Sequence, residues 1–169
     1  TLLNCTKINN GAKVLLHSVQ KPELFGVAKI NSNNKIIQIK EKPKKFFSSY
    51  AITGLYFFDN NVVGYAKKLK PSKRGEIEII DLLMQYKKKN KLSADFIGRG
   101  GAWLDTGSIE NYYKTSAFVQ AVENRQGLKI ACLEEVALLN EWIGKKEIIK
   151  QIKFYGNCNY SNYLRKIIK

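Results

Sequence analysis

The sequence predicts a mixed α/β protein whose strands gather in the first half and whose helices gather in the second. Three observations carry this. Residues 12–19 ("AKVLLHSV"), 25–31 ("FGVAKIN"), 35–42 ("KIIQIKEK") and 50–59 ("YAITGLYFFD") hold the β-branched and aromatic residues that suit a pleated, half-buried surface. From "SKRGEIEIIDLLMQYKKKN" onward, apolar residues recur at helical spacing. No internal repeat or low-complexity linker interrupts the pattern, so one compact α/β unit is expected.

The elements follow in order. "NSNN" between the second and third segments is a turn, which makes those two a hairpin. "NNVVGYAKKL" reads as a short helix. Pro71 and Ser72 are expected to open the next helix, with Ile77, Ile80, Leu83 and Met84 on one face. "KLSADFIG" (91–98) returns as a strand. Ser108 is placed to cap a helix that runs to about Arg125, carries Tyr112, Tyr113, Phe118 and Val122 as apolar positions, and stops at Gly127. Short amphipathic helices over about 133–140, 144–153 and 159–168 complete the chain.

Composition narrows the function classes. A chain of 169 residues with 44% hydrophobic and 25% charged content is globular and long enough to bury a substantial core. There is no run of 18 apolar residues, and the start "TLLNCTKINN" has neither a basic leader nor an apolar core. A membrane span and a signal peptide are therefore not expected, and the expected compartment is the cytoplasm. Thr1 in place of methionine, followed by a polar stretch, reads as the remainder of a longer protein. Cys5, Cys132 and Cys158 are odd in number and widely spaced, against both a disulfide framework and a zinc site. His17 is the single histidine, so a histidine-based triad has little to build from, and its place on a strand suits a structural role. The net charge of +15 could serve nucleic acid, an acidic membrane surface or small phosphorylated substrates. The basic residues are scattered, and no helix-turn-helix, zinc-finger or RNA-recognition signature accompanies them. They read as solvated surface, with neither nucleic acid nor membrane as partner.

Several stretches could carry chemistry. "GGAWLDTGS" (100–108) sets Asp105 between the anchors Trp103 and Leu104 and small residues. Asp-Thr-Gly is ordinary turn chemistry; the alternative is a carboxylate presented to a ligand at a strand end, with glycines that let the ligand approach. "IKEKPKK" puts Glu41 and Lys42 side by side before Pro43. Adjacent strand residues point to opposite faces, so both can serve one ligand only where the strand is ending or bulged, which the proline permits. A carboxylate there could accept from sugar hydroxyls and the ammonium could meet a phosphate; a surface ion pair is the other reading. Gly26 would let a sugar approach the backbone, or simply bend the strand. Lys73 and Arg74 at a helix start oppose the helix dipole, which suits either an anionic partner or a solvated face.

Taken together, "FGVAKIN", "EKP", "YAITGLYFFD", "LKPSKRGEIEIIDLLMQY", "GRGGAWLDTGS" and "ENRQGLKIACLEE" resemble, in order and spacing, the second half of the bacterial glucose-1-phosphate thymidylyltransferases, over nearly the whole chain. The resemblance implies part of a Rossmann-like sugar nucleotidyltransferase fold, a mixed sheet with C-terminal helices. It implies transfer of a nucleotidyl group from dTTP to glucose 1-phosphate, giving dTDP-glucose, the entry step to dTDP-rhamnose, and pyrophosphate. By the same resemblance Asp105 is a Mg²⁺ ligand and catalytic, Trp103 a wall of the sugar pocket, Glu41 the reader of glucose hydroxyls and Lys42 the catalytic contact to the sugar phosphate. Gly26 and Ile52 line that pocket, and Phe25 stands where a tyrosine is usual, so ring packing is kept and a hydroxyl lost. The glycine-rich triphosphate loop, the "PKxxLPV" stretch and a second metal-binding aspartate are not found in this chain. Residues 1–127 then form the sugar-phosphate-binding part and 128–169 a helical extension; the isolated chain is expected to be inactive and the full-length form a homo-oligomer, a tetramer. The alternative is a truncated noncatalytic sugar-nucleotide-binding or assembly module.

Overall fold

The computed structural model describes residues 2–72 and 75–169. Where one compact unit is expected from sequence, the chain forms two, Thr1–Trp103 and Leu104–Lys169.

The first unit holds α1 (Leu2–Thr6), β1 (Ala12–Ser18), a single 3-10 turn (Pro22–Leu24), β2 (Gly26–Ile30), β3 (Ile36–Glu41), β4 (Tyr50–Phe58), α2 (Val62–Ala66), α3 (Ile79–Lys88) and β5 (Leu92–Phe96). The strands lie in the order β3-β2-β4-β1-β5, antiparallel except for the parallel pair β1 and β5. The expected hairpin is β2–β3. Asn31 holds its turn, its side-chain oxygen accepting from the N–H groups of Asn33 and Lys35 at 3.0 and 2.9 Å. The turn also reaches β5, where the Ala94 N–H donates to the Asn34 carbonyl at 2.7 Å. In β1, Val14, Leu15 and Leu16 are buried one after another, the mark of a strand covered on both faces. One of those faces packs Val14 and Leu16 with Ala28, Ala94 and the α3 residues Leu82, Leu83 and Tyr86.

The third helix begins later than Pro71 and Ser72 suggest. The Ser72 N–H donates to the Glu76 carbonyl at 2.8 Å and its hydroxyl to the Glu78 carboxylate at 3.0 Å, so these polar groups bond one another ahead of Ile79 rather than start the helix. Ile77 is consequently left exposed, while Leu82, Leu83 and Tyr86 form the buried stripe. Lys73 and Arg74 lie outside the described residues. Asp59, at the end of β4, is buried and ties the unit together. It accepts from the Gly11 N–H at 2.7 Å, the Tyr86 hydroxyl at 2.8 Å, and the Asn61 N–H and side-chain amide at 3.0 Å each. Burial pushes its pKa up and these four bonds outweigh that, bringing it down to about 2.

The second unit is helical: α4 (Ile109–Gln126), α5 (Leu133–Leu139), α6 (Lys145–Tyr155) and α7 (Asn159–Ile167). The Ser108 hydroxyl accepts from the Asn111 N–H at 3.1 Å, and Gly127 ends α4 at φ +68°, a conformation that costs glycine little, so both expected caps of α4 are present. The apolar positions of α4 are not a core stripe, because no residue of that helix is buried. The unit's core is Cys132, Ile148, Ile152, Tyr163 and Leu164. Around it, tyrosines reach carboxylates: Tyr160 bonds Glu134 and also Cys132 Sγ at 3.2 Å, Tyr155 bonds Glu134 at 3.0 Å, and Tyr163 bonds Glu135 at 2.6 Å. Glu123 of α4 pairs with Lys129 and accepts from the Ile130 N–H at 3.0 Å, which joins α4 to the segment that follows. Compactness thus divides the chain after Trp103, ahead of the functional division expected after residue 127. Cys5 and Cys132 are buried and Cys158 exposed, all as free thiols. Among the described residues no helix is long and apolar enough to cross a membrane.

Candidate functional site

The register of the β2–β3 hairpin sets Gly26 directly opposite Glu41. Residues opposed across a strand pair share a face, and here the smaller one leaves room for the larger. A side-chain carbon added at Gly26 would stand 2.7 Å from Glu41 Oε2 and 4.0 Å from Ile80 of α3, so the glycine is the space that the carboxylate occupies. Glu41 remains exposed to solvent. β3 ends there. Lys42 turns to φ +40° and its N–H donates to the Phe25 carbonyl at 3.0 Å. The strict alternation that would send Glu41 and Lys42 to opposite faces is therefore interrupted between them.

Two further side chains belong to the face that Glu41 shares. Ile52 and Tyr56, four apart on β4, both pack against the core formed with α3. The Tyr56 phenol has its pKa raised by burial and, next, by the Glu41 charge. Tyr56 is thus an electrostatic neighbour of Glu41 that the sequence reading missed. The signal was present, since an even spacing from Ile52 along a strand returns to the same face.

Phe25 precedes Gly26 in extended conformation and points the other way. Its ring meets Trp103 edge to face at 5.0 Å, and His17 approaches the same indole at 6.0 Å. Trp103 is half-buried and its indole N–H donates to the Thr53 carbonyl at 3.1 Å. The expected residues are therefore split by the sheet: Gly26, Glu41 and Ile52 on the α3 side, Phe25 and Trp103 on the other. Phe25, Gly26, Glu41 and Lys42 meet where β2 starts and β3 ends, and Trp103 reaches that place through its contact with Phe25. The structural role expected for His17 is consistent with its contact to Trp103.

Asp105 belongs to the second unit. It does not stand at a strand end, because β5 stops at Phe96 and the residues around Asp105 are irregular. It is exposed, and its carboxylate oxygens curl back to 3.2 and 3.4 Å from the position a Gly107 side-chain carbon would take. Any larger residue at 107 would crowd that carboxylate. Among the described residues no group of three His, Cys, Asp or Glu side chains is arranged to hold a metal. Asp105 offers one hard oxygen donor of the kind Mg²⁺ takes, which fits one position of an octahedral shell and leaves the others to groups not present here.

A mixed sheet carrying a glycine-opposed glutamate at an open strand end, followed by capped helices, matches a known class of protein. The chain belongs to the nucleotidyl transferase family, whose sequence pattern matches residues 4–122. Over 169 residues it is 43% identical to a glucose-1-phosphate thymidylyltransferase of Neisseria meningitidis, covering 100% of this chain and 59% of that protein. Over 168 residues it is 45% identical to the Neisseria gonorrhoeae protein of the same name, covering 99% of this chain and 58% of that one. A crystal structure from Bacillus anthracis, described as a glucose-1-phosphate thymidylyltransferase in complex with a sucrose, is similar with a TM-score of 0.58 at 46% identity. That match covers 69% of this chain and 46% of the other. The chain thus spans rather more than half the length of the Neisseria relatives.

Proposed function

We propose that this chain supplies the sugar-phosphate-binding part of an enzyme that transfers a nucleotidyl group from dTTP to glucose 1-phosphate, giving dTDP-glucose and pyrophosphate. The observation that supports this best is the Gly26–Glu41 pair, an exposed carboxylate with no side chain opposite it, at the point where β3 ends and Lys42 turns out of register. A carboxylate so placed accepts hydrogen bonds from vicinal sugar hydroxyls, and the missing side chain at Gly26 gives that carboxylate its room. In this reading Glu41 recognises glucose, Lys42 meets its phosphate, and Ile52 supplies apolar surface on the Glu41 side. Phe25 and Trp103 form an aromatic wall reached around the strand end.

The reaction joins two anions, since an oxygen of the sugar phosphate attacks the α-phosphorus of the triphosphate. Catalysis is then mostly positioning and charge neutralisation. The Lys42 ammonium would offset phosphate charge and fix the attacking group. Asp105 is assigned as one carboxylate ligand for Mg²⁺, a hard dication that would further neutralise phosphate charge when bound. The triphosphate-binding groups belong to the remainder of the length seen in the relatives. The compartment proposed is the cytoplasm, without nucleic acid or membrane as partner.

A second reading, a noncatalytic binding or assembly module, draws on the helical unit. Leu133, Leu139 and Trp142 are each more than 70% exposed and no residue of α4 is buried, which suits a surface used in a homo-oligomer such as a tetramer. Pyrophosphate release from dTTP and glucose 1-phosphate in the presence of Mg²⁺ separates the two. The chain alone is expected to be inert. Joined to the part of the N. meningitidis relative that it does not span, it is expected to turn over, and Asp105→Asn in that fusion to abolish turnover while the circular dichroism spectrum stays unchanged. No turnover from the well-folded fusion would favour the noncatalytic module, and an active Asp105→Asn form would leave Asp105 as a turn residue.

A further inference from the structure

On the sheet face away from Glu41, two lysines converge on one phenylalanine. Lys40 lies opposite Val27 and Lys29 opposite Gln38, so Lys29 and Lys40 are diagonal neighbours across the β2–β3 pair. Their ammonium groups stand 4.6 and 4.7 Å from the centroid of the same ring, Phe47. That ring is nearly buried, whereas its neighbour Phe46 is 81% exposed. The backbone around it is pinned. The Ser48 hydroxyl donates to the Ala28 carbonyl at 2.6 Å and accepts from the Tyr50 N–H at 3.2 Å, and the Val19 N–H donates to the Ser49 carbonyl at 2.9 Å.

Two like charges brought to one ring repel each other, and the ring's negative face offsets only part of that repulsion. Among the described residues neither lysine has a carboxylate at ion-pair distance. Glu41 points to the opposite face, and the nearby charged residues along the chain, Lys42, Lys44 and Lys45, are themselves cationic. A lysine on a mobile stem would relieve the strain by moving apart. Here both are drawn to a fixed ring, so positive charge is concentrated beside it and favours a multiply charged anion. We infer that Lys29, Lys40 and Phe47 form a phosphate-binding clamp, distinct from the proposed sugar site and independent of it. The ligand chemistry is a phosphate dianion or pyrophosphate, either free or carried by a sugar phosphate. Lysine meets such a group as a point charge, with no demand for the planar geometry that arginine imposes.

Calorimetric titration of the chain with inorganic pyrophosphate and, separately, with glucose 1-phosphate at fixed ionic strength tests this. Because the chain carries a large positive charge, the control must remove two charges elsewhere, and Lys44→Gln/Lys45→Gln does so in the same loop. Lys29→Gln/Lys40→Gln is expected to weaken pyrophosphate binding about tenfold or more, against about twofold for the control. Phe47→Leu, which keeps every charge, is expected to weaken it about threefold by releasing both ammonium groups. Glu41→Ala is expected to leave it unchanged, which separates this site from the sugar-reading one. Selective loss for both ligands identifies the phosphate group itself as what is held, and selective loss for glucose 1-phosphate alone identifies a sugar phosphate. Equal weakening by the two double variants, or none by either, would overturn the clamp.

Discussion

The two compact units solve the same problem in different ways. The first buries a sheet face against α3 and anchors it on a charged group, Asp59, whose oxygens are fully engaged. The second buries far less, leaves α4 without a buried residue, and relies on tyrosine–carboxylate bonds around a small cluster. The difference teaches where each unit is vulnerable. A polar knot inside a dense core fails at one residue, because every donor aimed at it is stranded at once, whereas a cluster ringed by separate hydrogen bonds loses stability in smaller steps.

Asp59→Ala is the change that breaks this comparison most sharply. It leaves the Gly11 N–H and the Tyr86 hydroxyl without their acceptor in the interior, and a loss of about 4 kcal/mol is expected from chemical denaturation of the first unit. The same residue sets a pH dependence. Its folded pKa is depressed to about 2, so its contribution is complete above the ordinary carboxylate range and is lost as pH falls from about 4 towards 2. Melting temperature followed across that window should drop in the wild type and drop less in Asp59→Asn. Leu164→Ala removes a fully buried side chain from the helical cluster, and a cost of about 3 kcal/mol should show as faster amide exchange in α6 and α7. Tyr160→Phe takes away only the hydroxyl shared by Glu134 and Cys132, and about 1.5 kcal/mol is expected by the same measurement. Should Tyr160→Phe cost as much as Leu164→Ala, the contrast between a knot and a ring of separate bonds would fall.

Much of this was legible in the sequence, and the failures share a cause. Strand composition located β1 to β5 within a few residues, and cap chemistry at Ser108 and Gly127 located both ends of α4, because these signals are local. The start of α3 was misplaced because Ser72, Glu76 and Glu78 bond among themselves, a competition between side chains and backbone that helical periodicity does not register. The apolar positions of α4 were legible, yet spacing alone cannot tell residues buried within the chain from ones left open, and no residue of α4 is buried. At the site, adjacency to Pro43 marked Glu41 and Lys42, and the structure supplies the pairing with Gly26. Tyr56 escaped because an aromatic in a strand reads as core. Only its closeness to Glu41 gives it a second character.

The central claim is that the Glu41 carboxylate, seated over Gly26, reads the sugar. The direct measurement is the ratio of affinities for glucose 1-phosphate and galactose 1-phosphate, titrated into the chain and into its Glu41→Ala form. These ligands differ only in the direction of one hydroxyl, so the phosphate contribution cancels in the ratio. A clear preference for glucose 1-phosphate in the wild type, falling to a ratio of about 1 in Glu41→Ala, is the predicted result. A preference that survives the substitution, or one that the wild type never shows, would contradict it.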